Sequence, residues 1–228
     1  MILFCIPYAG GAEQIYSNWN KVFSNNIVVK GIKLKGRGSR FNEEFSESIN
    51  EAVDDIYIQM EPYINTNEYG IFGHSMGALL TYELYYKILK EKKPVPKHMF
   101  FSGNGAPNIK KIRDISYKMK DDIFLDRIGS LGGTPKEFLE NDELIKLILP
   151  ILKNDFRLIE EYEYVEKENK IKCNITVLNG DLDNITYAEK FGWKELCEKS
   201  CDFYDFNGGH FFINDCYNEV IKVIEDIL

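Results

Sequence analysis

Residues 69–80 read Tyr69-Gly70-Ile71-Phe72-Gly73-His74-Ser75-Met76-Gly77-Ala78-Leu79-Leu80. The run at 69–72 is short, apolar and suited to a buried strand, and a helical pattern occupies 76–91. A Gly-x-Ser-x-Gly lies at the join. Alone that pattern is weak, but a strand before it and a helix after it give it weight. Such a turn forces the serine into a strained backbone conformation. Glycines on both sides let backbone and helix approach without a Cβ clash, and the hydroxyl projects from the top of a sheet. The helix adds its N-terminal dipole, and the Met76 N–H points where an oxyanion would form. Ser75 is therefore read as a nucleophile, against the plainer alternative of a structural turn serine.

Outward from this stretch, further β-rich apolar runs fall at 1–6, 27–34, 98–102, 175–178 and 202–206, most of them stopped by Gly, Pro or Asn. Helical patterns fall between and after them, at 48–63 and 214–228. Alternating strand and helix predicts an α/β fold with a mostly parallel sheet covered by helices on both faces. The interval 106–169 breaks the rhythm with amphipathic, charged segments at 121–128 and 143–164. It is too long for a structureless loop in a compact domain. It is expected to be a helical lid inserted in one domain spanning 1–228, with Gly129, Gly132, Gly133, Pro135 and Pro150 as its turns. The alternative is a set of ordinary helices packed on the sheet faces.

A nucleophilic serine needs a base, and the chain holds three histidines: His74, His98 and His210. His74 adjoins Ser75, so its ring should leave in another direction, and His98 opens a core strand, where a satisfied structural histidine is expected. His210 sits in Asn207-Gly208-Gly209-His210 after the last strand, where open α/β sheets gather functional groups. The acid that orients its imidazole should come from Asn179-Gly180-Asp181-Leu182-Asp183. Asp183 lies far enough along that loop to turn back, whereas Asp181 suits a backbone-capping bond. The order Ser75, Asp183, His210 is that of α/β-hydrolases. A second oxyanion donor is expected from Pro7-Tyr8-Ala9-Gly10-Gly11, with the Tyr8 N–H first and Ala9 next.

Composition narrows the field. The 228 residues are 44% hydrophobic, and 28 Lys+Arg stand against 36 Asp+Glu, a formal charge of −8. No broad cationic footprint for nucleic acid or anionic lipid is expected. The opening apolar run lacks a basic flank and is too short to span a bilayer. Five cysteines without a Cys-x-x-Cys pair suit a reduced, cytoplasmic protein. Dispersed histidines give no metal site, and Gly36-Arg37-Gly38-Ser39-Arg40 lacks the Gly-Lys-Ser/Thr of a phosphate loop.

The motifs together resemble the type II thioesterases, free-standing editing enzymes of nonribosomal peptide and polyketide synthases within the α/β-hydrolase superfamily. The resemblance runs over essentially the whole chain. It rests on Ile6-Pro7-Tyr8-Ala9-Gly10-Gly11 with Trp19, Gly36-Arg37-Gly38 with Arg40, and Gly73-His74-Ser75-Met76-Gly77-Ala78. It continues through Leu131-Gly132-Gly133-Thr134-Pro135, Asp155-Phe156-Arg157, Asn179 to Asp183, Gly192-Trp193 and Gly208-Gly209-His210-Phe211. Lys35 departs from it, standing where the family usually has Pro.

The resemblance implies hydrolysis of acyl or aminoacyl thioesters from the phosphopantetheine arm of acyl or peptidyl carrier protein domains. No cofactor is expected beyond the substrate's own 4′-phosphopantetheine, and a monomer is the default. The competing readings are an esterase or acyltransferase acting on small-molecule esters and a noncatalytic carrier-binding protein. Carrier proteins in this setting are usually acidic, so Lys33, Lys35, Arg37 and Arg40, or Lys110, Lys111 and Arg113, are candidate contact clusters. Phe124, Leu125, Ile128, Leu131, Phe138, Leu147 and Leu149 are candidates to line an acyl pocket, most of them more simply packing residues.

Overall fold

The computed structural model describes residues 1–23, 26–111, 114–133 and 141–228. Its frame is six parallel strands. In chain order the elements are β1 (Ile2–Ile6), α1 (Trp19–Val22), β2 (Val28–Gly31), α2 (Ile49–Ile64), β3 (Tyr69–His74), α3 (Met76–Lys90) and β4 (His98–Ser102). They continue as α4 (Asp121–Ser130), α5 (Asp142–Glu161), β5 (Asn174–Gly180), α6 (Tyr187–Phe191), α7 (Trp193–Leu196), β6 (Cys201–Phe206), α8 (Phe212–Asp215) and α9 (Tyr217–Ile227). The strand order is β2-β1-β3-β4-β5-β6.

Both faces of the inner strands are buried, which is why these segments read as continuous apolar runs. The pleat sends alternate side chains to opposite layers. Phe4, Ile6, Ile71 and Phe101 enter the layer built on α2 and α3, with Ile56, Met60 and Leu84. Leu3, Cys5, Phe72 and Phe100 enter the other, with Trp19, Val220 and Ile224. Helix α2 starts where Ser48 accepts a hydrogen bond from the Glu51 amide at 3.1 Å, a side-chain cap for an otherwise unpaired donor.

All six expected strands are present. The second is shorter than 27–34: Ile32 donates one last bond to the Cys5 carbonyl at 2.9 Å. The ladder then has no further partner, because β1 has ended at Ile6 and Pro7. The C-terminal helical segment is interrupted at Cys216, which separates α8 from α9.

In the described part of the interval between β4 and β5 the regular structure is helical, α4 and α5, and its punctuation differs from that expected. Pro150 is no turn; it lies inside α5, which runs unbroken over 20 residues. Pro150 and Lys146, four residues earlier, are both exposed, so the carbonyl that the missing N–H leaves unpaired lies on the watered side. Gly129 falls within the last turn of α4, while Gly132, at φ +85°, makes the turn that follows. Thr134, Pro135, Phe138 and Arg113 lie outside the described residues. Phe124, Ile128 and Leu152 form a separate small core for the insertion, with Phe156 edge-on to Phe124 at 5.3 Å. No helix among the described residues is long and apolar enough to cross a membrane.

Candidate active site

Ser75 stands between β3 and α3 with φ +55° and ψ −115°, a left-handed strain that a non-glycine residue adopts only when its surroundings enforce it. The surroundings here are backbone. A Cβ on Gly73 would lie 2.1 Å from the Gly77 carbonyl oxygen, and one on Gly77 would lie 2.2 Å from that of Ile6. Both glycines are therefore required by close packing, and the turn they permit lifts the Ser75 hydroxyl above the sheet.

The imidazole that meets Ser75 comes from the loop after β6. Ser75 Oγ lies 2.9 Å from His210 Nε2, and His210 Nδ1 lies 2.9 Å from Asp183 Oδ2. The three residues, 135 and 27 positions apart in chain, thus form one hydrogen-bonded relay. An Asp at Nδ1 holds the proton there and leaves Nε2 free to accept from the serine. Asp183 is nearly buried, so its charge is little screened and favours an imidazolium when one forms.

Asp181 does the capping work expected of it. Its Oδ1 accepts from the Gly208 amide at 2.9 Å, and the Leu182 amide donates to the Gly208 carbonyl at 2.9 Å, tying the acid's loop to the histidine's.

The other two histidines take no part in the relay. His98 is buried, its Nε2 2.8 Å from Thr176 Oγ1, and burial pushes its pKa down to about 4. His74 turns away from Ser75 to place Nδ1 2.9 Å from Ser102 Oγ, with its ring 5.3 Å from that of His210. Full burial, and then repulsion by a charged His210, hold His74 well below the ordinary histidine range. It stays neutral beside the relay.

The backbone around Ser75 carries amides without an acceptor. Met76 is the first residue of α3, so its N–H has no intrahelical acceptor. In the loop after β1 the Gly11 amide is tied to the Tyr8 carbonyl at 2.9 Å and the Gly10 amide to Asp155 Oδ2 at 2.8 Å. Among the described residues the amides of Tyr8, Ala9 and Ala12 have no acceptor.

Ser75 and His210 open onto a cavity of about 310 Å³ between this loop and the insertion. Ile128 and Leu131 line it, as two of the candidate pocket residues were expected to. Phe124 is instead buried in the insertion's core, Leu149 packs against that core, and Leu147 points largely to solvent. Ile148, Leu152, Phe156 and Phe211 line the cavity without having been singled out for it. The ring of Phe211 packs on Tyr8 at 4.9 Å, and a Cβ on Gly133 would strike it at 2.1 Å, so the histidine's loop touches the insertion directly.

Most described members of the basic clusters are engaged within the chain, while Lys33 and Lys110 are exposed. Arg37 is buried and pairs through both Nη groups with Asp155. Arg40 is spent on Asp55 and Glu43, and Lys35 on Glu51. Lys111 bonds Asn104. Asp155 itself was missed as a functional candidate beyond its motif. Its signal in the sequence is an acid on the apolar face of α5, in register with Ile148, Leu152 and Phe156. Among the described residues no group of three or more His, Cys, Asp or Glu side chains is disposed to hold a metal ion.

A family model described as a thioesterase domain matches residues 1–228. The gramicidin S biosynthesis protein GrsT of Aneurinibacillus migulanus is 33% identical over 221 residues, which cover 96% of this chain and 86% of that protein. The crystal structure of ClbQ, from the colibactin NRPS/PKS pathway, superposes with a TM-score of 0.94 at 32% identity, covering 99% of this chain and 95% of that one. The type II thioesterase BorB, from the borrelidin biosynthetic cluster, superposes with a TM-score of 0.89 at 26% identity, covering 99% and 91%.

Proposed function

The chain belongs to the thioesterase family, among its type II members, and from that premise we propose that it hydrolyses acyl or aminoacyl thioesters held on the phosphopantetheine arm of carrier-protein domains. The observation that carries the chemistry is the relay of two 2.9 Å hydrogen bonds, Ser75 to His210 to Asp183, at the mouth of an apolar cavity.

In this reading the acyl group enters the cavity and Ser75 Oγ attacks the thioester carbonyl while His210 Nε2 takes the serine proton. Asp183 stabilises the imidazolium, and the oxyanion rests on the N–H groups of Met76 and Tyr8. Collapse breaks the carbon–sulfur bond, His210 returns its proton to the departing pantetheine sulfur, and an acyl-Ser75 ester remains. Water then attacks that ester with His210 again as base, releasing the carboxylic acid and restoring the serine. A thiolate is a good leaving group, so the site needs no device for expelling an amine. The odd number of cysteines and the missing Cys-x-x-Cys pair support a reducing, cytoplasmic setting, and the enzyme is proposed to work as a monomer.

Intact-mass measurement on an acetyl-phosphopantetheinyl carrier domain tests the proposal, beside a p-nitrophenyl ester assay. Loss of the acetyl mass is expected with the wild type and not with Ser75→Ala. An ester cleaved while the carrier stays acylated would keep the relay but overturn the carrier substrate.

A further inference from the structure

Helix α5 sets Ile148, Leu152 and Phe156 against the cavity, and on the same face it carries an acid. Asp155 is 1% exposed, and three N–H groups meet its carboxylate: the two Nη of Arg37, with Nη2 at 2.6 Å from Oδ1, and the Gly10 amide at 2.8 Å from Oδ2. Arg37 is itself only 4% exposed, and its Nε donates to the Lys35 carbonyl at 3.3 Å. An ion pair buried to this degree is a poor stabiliser compared with apolar side chains of equal volume, because both charges give up their water. What it does supply is direction: a bidentate guanidinium fixes the plane of the carboxylate, and so aims a remaining lone pair at one amide.

That amide belongs to the loop proposed to hold the oxyanion. The Gly11 amide closes the turn onto the Tyr8 carbonyl, and Asp155 fixes Gly10 at φ +78° from the other side. Leu152 presses on the same residue, since a Cβ on Gly10 would lie 2.6 Å from its Cδ2. With the Gly10 and Gly11 amides both engaged, the amides of this loop left without an acceptor are those of Tyr8, Ala9 and Ala12, of which Tyr8 and Ala9 come first after β1, and all three residues line the cavity with Ser75.

Resting on the thioester-hydrolase reading, we propose that Asp155, held in place by Arg37, is a positioning residue that sets the second oxyanion donor. Through it the insertion seats both the cavity wall and the loop after β1. The oxyanion site is complete only when α5 is docked.

Two double variants separate this role from simple stability. Arg37→Met/Asp155→Leu removes the charges and the acceptor together, whereas Arg37→Gln/Asp155→Asn removes the charges but keeps an oxygen for the Gly10 amide. With a small acetyl thioester, the apolar pair is expected to lower kcat by about tenfold or more with KM within about twofold. The same variant should bind a trifluoromethyl ketone, whose serine adduct is an oxyanion, more weakly by a similar factor. The amide pair should bring both values back to within about threefold of the wild type. Wild-type kcat in the apolar pair, or an amide pair as slow as the apolar one, overturns the proposal.

Should the apolar pair fail to fold, Asp155→Glu keeps the ion pair while displacing the acceptor by one methylene. The same fall in kcat at constant KM is then expected, and an unchanged kcat overturns the role. Should the wild type leave thioesters intact, the thioester reading falls, while the ketone affinities of the variants still decide the positioning role.

Discussion

The rim of the sheet that carries Ser75, Asp183 and His210 and the insertion that walls the cavity are held by different forces. Each relay residue follows a strand, and those strands are locked to their neighbours by ladders five or six residues long. The insertion has a small core of its own and reaches the rest of the molecule mainly through side chains, among them Asp155 on Arg37 and Gly10, Arg157 on the carbonyls of Ser46 and Glu47, and Leu158 packed in the layer of α2 and α3. Moving a rim residue means breaking a ladder; reshaping the insertion takes one side chain. On the proposed function, bond-making chemistry is thus housed where geometry is over-determined, and substrate fit where it is adjustable.

The largest expected effect tests the rim. Asp183→Asn should cost about 10⁴-fold in kcat, because an amide at Nδ1 favours the tautomer that puts the proton on Nε2. The melting temperature should stay close to that of the wild type. A loss below about tenfold would show that the hydrogen-bonded relay does not set the tautomer, and would erase the contrast with the insertion.

A smaller effect tests the insertion. Ile148→Phe narrows the cavity without touching the relay, so the ratio of kcat/KM for octanoyl over acetyl thioesters should fall by about tenfold, within the range that hydrophobic pockets discriminate. An unchanged ratio would place the acyl chain elsewhere.

The smallest effect sharpens the comparison by looking at the opposite end of the sheet, where His98 opens β4. Its folded pKa is pushed down to about 4 by burial, while an unfolded histidine titrates near 6.5. As pH falls from about 6.5 towards 4, the unfolded chain takes up a proton that the folded chain refuses, so His98 stability is lost across that window. His74 acts in the same direction. His98→Gln should reduce the drop in urea midpoint between pH 7 and 4.5, and leave kcat unchanged. An undiminished drop would mean that this histidine does not sense pH through folding.

The sheet was legible in the sequence because its signals are local. Runs such as Ile2–Ile6 and Tyr69–His74 are buried on both faces, so burial appears as unbroken apolarity whatever the rest of the chain does. The relay was legible because few residues compete: three histidines, of which one lies in a glycine-rich loop after a strand. What escaped depends on distant partners. Arg37 reads as one of several surface cations until Asp155, 118 residues away, is seen to take its charge. Pro150 reads as a break because its cost in a helix depends on whether the orphaned carbonyl meets water. Which of the insertion's apolar side chains face the cavity depends on how α5 rotates about its axis. Leu147 and Ile148 are neighbours in sequence, yet one meets solvent and the other the cavity.

The strand order carries one more consequence. From β1 the chain crosses to β2 on one side, and from β3 to β4 on the other, so the loops leaving β1 and β3 diverge and a crevice opens between them. The two proposed oxyanion donors, after β1 and after β3, stand on its opposite banks. Because β1 and β3 are paired from Ile2–Tyr69 to Ile6–Gly73, the floor of that crevice has the spacing of adjacent strands, about 4.8 Å. The gauge at the foot of the proposed site is thus a constant of β-structure, indifferent to how the insertion above it is shaped.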